Sequence, residues 1–451
     1  MTDHDLTEAT DPTESTDEAL RAAWWGHLQT VRWFGGKGSP GTISRLTPLD
    51  FYTPEGVLPA LRSEIATIDY DDGRTEYYHL LAAYHAPGEG PGEPLGEADI
   101  SGLGRADVHD ATEDEASVVE FVRVLDENPR AAMDWRRHLA PDEVAGARVW
   151  RGEQSNTTIV VGAGLFKLFR RVEPGPNLDA EVLTALDGTS AATPALWGRL
   201  TGPWPSGQTT DLGMVIERVP DVTDGWELAS AACAAGEDFT ERAEELGRAL
   251  RRVHRELADA FGTTTRPGDE IAATMIRRLD AAAAVAGVLD PHVADLRRGF
   301  AALEGQQVAT QRVHGDFHLG QTLAGPHGWT IIDFEGEPAK TAAERREPDS
   351  VWRDVAGMMR SFDYARSAHS DPSSDAAKNW AEASRRAFCS GYCGPKDFRG
   401  DLLSAYEVDK AVYEVVYELR NRPTWVSIPM RAILEQTQRA AGSPESKEIK
   451  E

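Results

Sequence analysis

Apolar residues recur at helical spacing over residues 20–33 and then give way to short runs rich in β-branched and aromatic residues. Residues 65–70 and 75–81 flank Asp71-Asp72-Gly73-Arg74, which predicts a β-hairpin because the turn offers a glycine where positive φ is needed. Residues 87–96 read PGEGPGEPLG and predict a loop. Helical periodicity returns over 116–127 and 131–139, followed by strand-like runs at 147–150, 157–161 and 165–169. An amphipathic helix is predicted over 177–186, and an apolar strand over 212–219 stops at Pro220. Beyond residue 221 the pattern is mainly helical, over 240–261, 271–289 and 293–303, with loop and short strands at 311–334 and helices again from 351. In the first of these, Thr240 is placed to cap, Glu241 and Glu244 suit the first turn, and Leu246, Leu250, Val253 and Leu257 share one face.

A β-rich half before a helical half predicts an α+β chain of two lobes joined near residue 220, a small nucleotide lobe before a large substrate lobe. The expected divisions are a disordered acidic tail (1–18), a small α+β unit (19–96), an intermediate, nucleotide-binding segment (97–220), a helical lobe (221–441) and a flexible tail (442–451). There is no internal repeat.

The 451 residues suit two or three structural units. With 47 basic against 74 acidic residues, the formal charge of −27 repels nucleic acid, so no nucleic-acid partner is expected. A nucleotide substrate is not excluded, because magnesium and local cations meet its phosphates. No apolar run approaches the ~18–20 residues of a membrane span, and the acidic start lacks the marks of a signal peptide, so a soluble, cytoplasmic protein is expected. The three cysteines, Cys233, Cys389 and Cys393, do not make a disulfide framework. Cys389 and Cys393 lack the two further ligands a metal would need and read as small, half-buried residues.

The sharpest chemistry lies in His314-Gly315-Asp316-Phe317-His318-Leu319-Gly320-Gln321, followed by Ile331-Ile332-Asp333-Phe334-Glu335. Phosphoryl transfer needs a carboxylate to accept the attacking hydroxyl's proton, an oxygen ligand for magnesium and a second carboxylate for the metal that bridges the phosphates. Asp316 and Gln321 have the catalytic-loop spacing of kinases, with Gln in place of Asn, and Asp333 ends a strand as the metal-binding Asp of a kinase does. A lone His-Gly-Asp would read as a surface loop; order and spacing together favour chemistry.

Upstream, Lys167 stands among apolar residues in Leu165-Phe166-Lys167-Leu168-Phe169, and Glu181 on the next helix is its expected partner beside phosphate oxygens. The polar turn at 152–158 sits where a glycine-rich hairpin would lie, and Ser155, Thr157 and Thr158 are expected to meet phosphate through hydroxyls and backbone N–H groups. The backbone of Glu217 and Val219, at the lobe junction, is expected to pair with an adenine edge.

The runs GEQSNTT, LFKLFRRVEPGPN, HGDFHLGQ, IIDFEGEPA, DVAGMMRSFDYA and DKAVYEVVYELRNRPTW together resemble the actinobacterial maltokinases, relatives of the aminoglycoside phosphotransferases, over residues 24–435. The resemblance implies a two-lobed protein-kinase-like fold with an N-terminal cap on the small β-rich lobe. It implies transfer of phosphate from ATP, with Mg2+, to the anomeric hydroxyl of maltose, giving maltose 1-phosphate for α-glucan (glycogen-type) synthesis. Asp316 would be the base, Gln321 and Asp333 the metal ligands, Lys167 the phosphate lysine and Glu181 its partner. A trehalose-converting enzyme is the implied candidate for a docked partner. Relatives in the same family act on glucosamine, so a glucosamine, amino-sugar or aminoglycoside kinase is the alternative, and a silent binding protein of the same fold is a third reading.

The sugar site is expected in the helical half, where Tyr413, Glu414, Tyr417, Glu418, Arg420 and Trp425 combine stacking rings with hydroxyl partners. Tyr413 and Tyr417 share one helix face, as do Glu414 and Glu418. The competing reading has Val412, Val415, Val416 and Leu419 packing a core. His318 and Glu335 are added to the substrate group, and Arg353-Asp354 is read as a helix cap with an ion pair.

Overall fold

The computed structural model describes residues 12–128, 132–152, 155–204, 206–337 and 340–442. The chain forms two compact units, Met1–Glu181 with Ala195–Arg218, and Val182–Pro194 with Val219–Glu451.

In the first unit, helix α1 (Pro12–Leu28) begins ahead of the periodicity at residue 20. It buries Leu20, Trp24 and Leu28 with Ile43, Ile68, Leu80 and Tyr84 of a five-stranded sheet. Each such large apolar side chain contributes about 1.5–3 kcal/mol on burial. The sheet contains β1 (Gly41–Phe51), β2 (Ala60–Tyr70), β3 (Thr75–His85), β4 (Gly96–Ile100) and β5 (Gly104–Asp110), in the order β1-β2-β3-β5-β4. The expected hairpin is present, with Asp69 opposite Thr75. Because β5 pairs with β3, this sheet closes at Asp110 and runs past residue 96.

Helix α2 (Glu115–Glu127) follows, its first N–H groups capped by Asp114, and Phe121 stacks on Phe166 at 5.6 Å. Next come β6 (Met133–Trp135), α3 (Pro141–Ala145), β7 (Arg148–Trp150), β8 (Thr157–Val161) and β9 (Gly164–Leu168). Helix α4 (Leu178–Leu186), β10 (Leu196–Pro203) and β11 (Thr209–Glu217) complete the region. The strands form an antiparallel sheet in the order β6-β10-β11-β9-β8-β7. Residues 132–139 are not the helix their periodicity predicts: β6 pairs with Gly198–Leu200, and the Trp135 indole donates to Leu125 O. Edge pairing and that bond outweigh local propensity; residue 131 lies outside the described residues.

Arg170, fully buried just after β9, ties the two sheets together. Its guanidinium donates to Thr157 Oγ1 (2.8 Å), His79 O (3.2 Å) and Thr112 Oγ1 (2.8 Å), and it lies 4.3 Å from the Trp33 ring.

The second unit is largely helical. Strand β12 (Thr223–Asp224) leads to α5 (Gly225–Ala235), α6 (Thr240–Phe261), β13 (Thr263–Pro267), α7 (Gly268–Ala283) and α8 (Val293–Ala301). Strand β14 (Gln307–Gln311) pairs with β13; β15 (Thr322–Gly325) and β16 (Gly328–Ile331) form a hairpin joined by β12. Helices α9 (Ala342–Arg346), α10 (Trp352–Ala365), α11 (Asp375–Tyr392), α12 (Gly400–Asn421) and α13 (Ser427–Gly442) complete it. None of the described helices is long and apolar enough to cross a membrane. Cys233 is buried and Cys389 and Cys393 half-buried, all as free thiols.

Candidate active site

The His-Gly-Asp segment occupies the turn between β14 and β15. Gly315 takes φ +88°, a conformation a side chain resists, and so reverses the chain just before Asp316. The loop lies against α10 at Gly357, where a Cβ would stand 2.4 Å from Phe317 O; only glycine permits that approach. Fully buried Asp354 on α10 accepts the backbone N–H groups of His314 (2.8 Å) and Gly315 (2.9 Å), and Arg353 donates to Gly315 O at 3.1 Å. Asp354 is therefore the brace of the loop, not the helix cap with an ion pair expected from Arg353-Asp354. The acids paired with Arg353 are Asp349 and Glu337.

Buried His314 joins this loop to the segment carrying Asp333. Its Nε2 lies 3.0 Å from Ile332 O, and its ring packs 4.8 Å from that of Phe334. Asp333 follows β16 with φ +67°, a left-handed conformation that a non-glycine residue holds only where its surroundings impose it. Gln321 Nε2 donates to Asp333 Oδ2 at 3.1 Å, so the two expected metal ligands are brought together. With its nitrogen committed there, Gln321 offers its carbonyl oxygen beside a carboxylate. That oxygen-only donor set suits a hard cation such as Mg2+.

Asp316 is half-buried, and Lys410 Nζ of α12 lies 2.9 Å from its Oδ1. Burial pushes the Asp316 carboxyl up, but the Lys410 ammonium, with His318 and His314 nearby, outweighs it and holds the group below the ordinary Asp value. Burial likewise opposes the Lys410 charge, and Asp316 restores it. His318 Nδ1 accepts the Gly320 N–H at 3.1 Å, and burial keeps its imidazole below the usual value.

Asp316 opens onto a cavity of about 420 Å³ within the second unit, lined by Lys410, Tyr413 and Arg420 of α12, Arg278 of α7, and Glu337 and Lys340. Helix geometry explains which of the expected sugar residues reach it. Lys410, Tyr413, Tyr417 and Arg420 follow a three-four-three spacing and share a face. Tyr413 and Arg420 line the cavity, and half-exposed Tyr417 stacks on Tyr413 at 6.4 Å.

Glu414 and Glu418 lie about 100° away around the helix. There, buried, Glu414 accepts from Arg360 at 2.8 Å, and Glu418 accepts from Tyr364 (3.1 Å) and Arg422 (2.7 Å). The two glutamates hold α12 to α10 and do not line the cavity. Trp425 packs 6.1 Å from the Tyr364 ring, under the Arg422 guanidinium. Half-buried Glu335 sits beside the Asp333 turn, and its carbonyl accepts from Arg345 at 3.0 Å.

In the first unit, Lys167 lies one residue before the end of β9, and its Nζ meets Asp179 Oδ2 at 3.0 Å. Asp179 stands two residues before the expected partner Glu181, on the first turn of α4, which Asn177 caps through the N–H groups of Asp179 and Ala180. Thr157 and Thr158 are buried in β8. The Thr157 hydroxyl accepts from Arg170 Nε at 2.8 Å. Ser155 is exposed; Glu153 and Gln154 of the same turn lie outside the described residues. At the end of β11 the Glu217 N–H donates to Ala195 O at 2.8 Å, so that donor is already committed within the unit. Val219 begins the longer segment of the second unit.

Sequence reasoning missed Lys410 and Asp354 as parts of the site. The signal for Lys410 was its place on the tyrosine face, one turn before Tyr413. The signal for Asp354 was its place at the head of the run DVAGMMRSFDYA, where it reads as part of a helix cap.

Residues 27–114 match the maltokinase N-terminal cap domain. A glucosamine kinase of Streptacidiphilus jiangxiensis is 29% identical over 337 residues, 67% of this chain and 76% of that protein. A glucosamine kinase of Mycolicibacterium smegmatis is 24% identical over 333 residues, 65% of this chain and 80% of that protein. A solved glucosamine kinase in complex with glucosamine, ADP and inorganic phosphate superposes with a TM-score of 0.63 at 22% identity, over 94% of this chain and 99% of that one. The superposition shows the fold, which is kinase-like and carries an N-terminal cap.

Proposed function

We propose that this chain, which carries a maltokinase N-terminal cap domain on a kinase-like fold, is an ATP-dependent sugar kinase. The observation that carries the reading is Asp316: an ionised carboxylate on a braced loop, facing a cavity walled by an aromatic ring and hydrogen-bond donors. The relatives named glucosamine kinases support a sugar as the acceptor.

The reaction assigns each part a task. Lys410 occupies Asp316 Oδ1, so Oδ2 is the atom that accepts the proton of the acceptor hydroxyl. The hydroxyl oxygen then bonds to the terminal phosphorus of ATP as the bond from phosphorus to ADP breaks. The pull of Lys410 keeps the base ionised without removing it, and Asp354 fixes the direction from which it acts. Gln321 and Asp333 are the residues that would hold Mg2+, which supplies charge neutralisation at the phosphate oxygens. Lys167 is assigned to the phosphates, with Asp179 holding its ammonium.

For the acceptor we put maltose first, at its anomeric hydroxyl: the cap domain supports it, and Tyr413 stacked on Tyr417 offers an aromatic platform for a sugar face. Glucosamine is the second reading, favoured by the names of the relatives. A coupled ADP-release assay with ATP, Mg2+ and either maltose or glucosamine separates them. Sugar-dependent ADP release that disappears in Asp316→Asn supports the kinase reading. Release that ignores every sugar, or survives the substitution, refutes it.

A further inference from the structure

The wall of the cavity beside Asp316 has an uneven charge balance. Among its acids, Asp316 is paired with Lys410, Glu337 with Arg353, and Asp409 with Arg278 at 2.6 Å. Glu344 caps its own helix, accepting from the Thr341 N–H and hydroxyl at 2.8 Å. Every carboxylate of the wall is thus engaged by a residue of the protein. Lys340 is different. It is half-buried, and among the described residues its ammonium has neither an ion pair nor a hydrogen bond.

Its position is equally specific. Arg278, Lys340, Glu344 and Tyr406 line both the 420 Å³ cavity and a second one of about 230 Å³, so the two adjoin and Lys340 stands on their common wall. The second cavity is polar, with Arg266, Arg277 and Thr274 beyond Lys340. Burial, with Arg353 close by, pulls the Lys340 ammonium down to about 8, the mark of a cation short of solvation. A desolvated ammonium with no hydrogen bond or close ion pair, on which Asp349 and Glu337 act only at longer range, is costly, and an oxygen-bearing ligand that enters the cavity relieves it.

We propose that Lys340 is an acceptor-binding, specificity-determining residue. Its ammonium donates to the oxygens at the end of the acceptor remote from Asp316, and its charge repels an acceptor that carries an ammonium there. The proposal rests on the sugar-kinase reading and adds to it a selection against cationic acceptors by a residue outside the reacting atoms.

The test compares steady-state kinetics of the full chain and its Lys340→Ala, Lys340→Arg and Lys340→Glu variants with ATP, Mg2+ and either maltose or glucosamine. A charge-assisted hydrogen bond predicts that Lys340→Ala raises KM for maltose about tenfold or more with kcat little changed. Lys340→Arg should restore most of that KM, which a loss of folding would not allow. Lys340→Glu should move the ratio of kcat/KM for glucosamine over maltose upward by at least tenfold. An unchanged KM in Lys340→Ala beside a wild type that phosphorylates sugar overturns this inference and leaves the kinase reading intact. A preference for glucosamine in the wild type that Lys340→Glu leaves unaltered also overturns it. A wild type that phosphorylates no sugar overturns both.

Discussion

His254 Nε2 donates to Asp354 Oδ2 at 2.8 Å, so a histidine on α6 holds the carboxylate that in turn holds the loop of the proposed base, Asp316. The Tyr392 hydroxyl meets the other imidazole nitrogen at 2.8 Å, which places α6, α10 and α11 in one buried chain of hydrogen bonds behind Asp316. Removing its central carboxylate leaves two backbone N–H groups and an imidazole without their acceptor. Asp354→Ala is expected to lower the unfolding free energy by about 3 kcal/mol and to cut kcat beyond any loss of folded protein. Denaturant unfolding beside turnover per folded molecule checks this; unchanged turnover would show that the loop holds itself.

Lys410→Met keeps most of the side-chain volume and removes the ammonium beside Asp316. Burial of the carboxyl is then opposed only by the weaker influence of the histidines, so its pKa rises. In the unaltered protein Asp316 stays ionised into the low end of the ordinary Asp range, about 3.9, and as the proposed base it should place the acid limb of kcat/KM below that value. The variant should show that limb displaced toward neutral pH, with a loss of about 10- to 100-fold in kcat at pH 7. A pH–rate profile with the acid limb unmoved would separate Lys410 from the ionisation of the base.

Lys340 sets an expectation at the opposite end of the scale. Burial, Arg353 and Arg278 lower its affinity for a proton, while Asp349 and Glu337 raise it, and the balance lies at about 8. A lysine lowered in this way is charged below that pH and neutral above it. The KM for the sugar should therefore rise several-fold between pH 7 and 9. In Lys340→Arg, whose guanidinium stays charged, the rise should vanish. Parallel KM measurements across this range in the two proteins decide it.

The parts of the site that could be read from the sequence are those whose meaning is local. Asp316, Gln321 and Asp333 stand out by order and spacing, and the structure joins Gln321 to Asp333 by a hydrogen bond. The partner of Asp316 could not be read in the same way, because Lys410 lies 94 residues further on and its role depends on how α12 is turned. The helical period identified two faces, Tyr413 with Tyr417 and Glu414 with Glu418, but not which one meets the cavity. Arg360, fully buried on α10, settles that by drawing Glu414 to itself. The strand at Met133–Trp135 was hidden for a similar reason, since its partner lies more than sixty residues away in β10. The Thr157 hydroxyl was unreadable because the group that engages it, Arg170, comes from the far end of the next strand.

Arg170 also bears on how this chain could have been assembled in evolution. One of its hydrogen bonds reaches a residue of the sheet that follows the cap, and two reach residues within the cap match, Thr112 and His79. Excision of residues 27–114 would take away Trp33, His79 and Thr112, which cover the guanidinium, and leave it open to water. The same cut would bare Phe121 and Trp204, against which Tyr52 and Tyr77 pack at 5.3 and 4.9 Å. Cap and sheet are thus bound to one inheritance: a shortened descendant could keep the arginine but must first exchange those rings for polar residues.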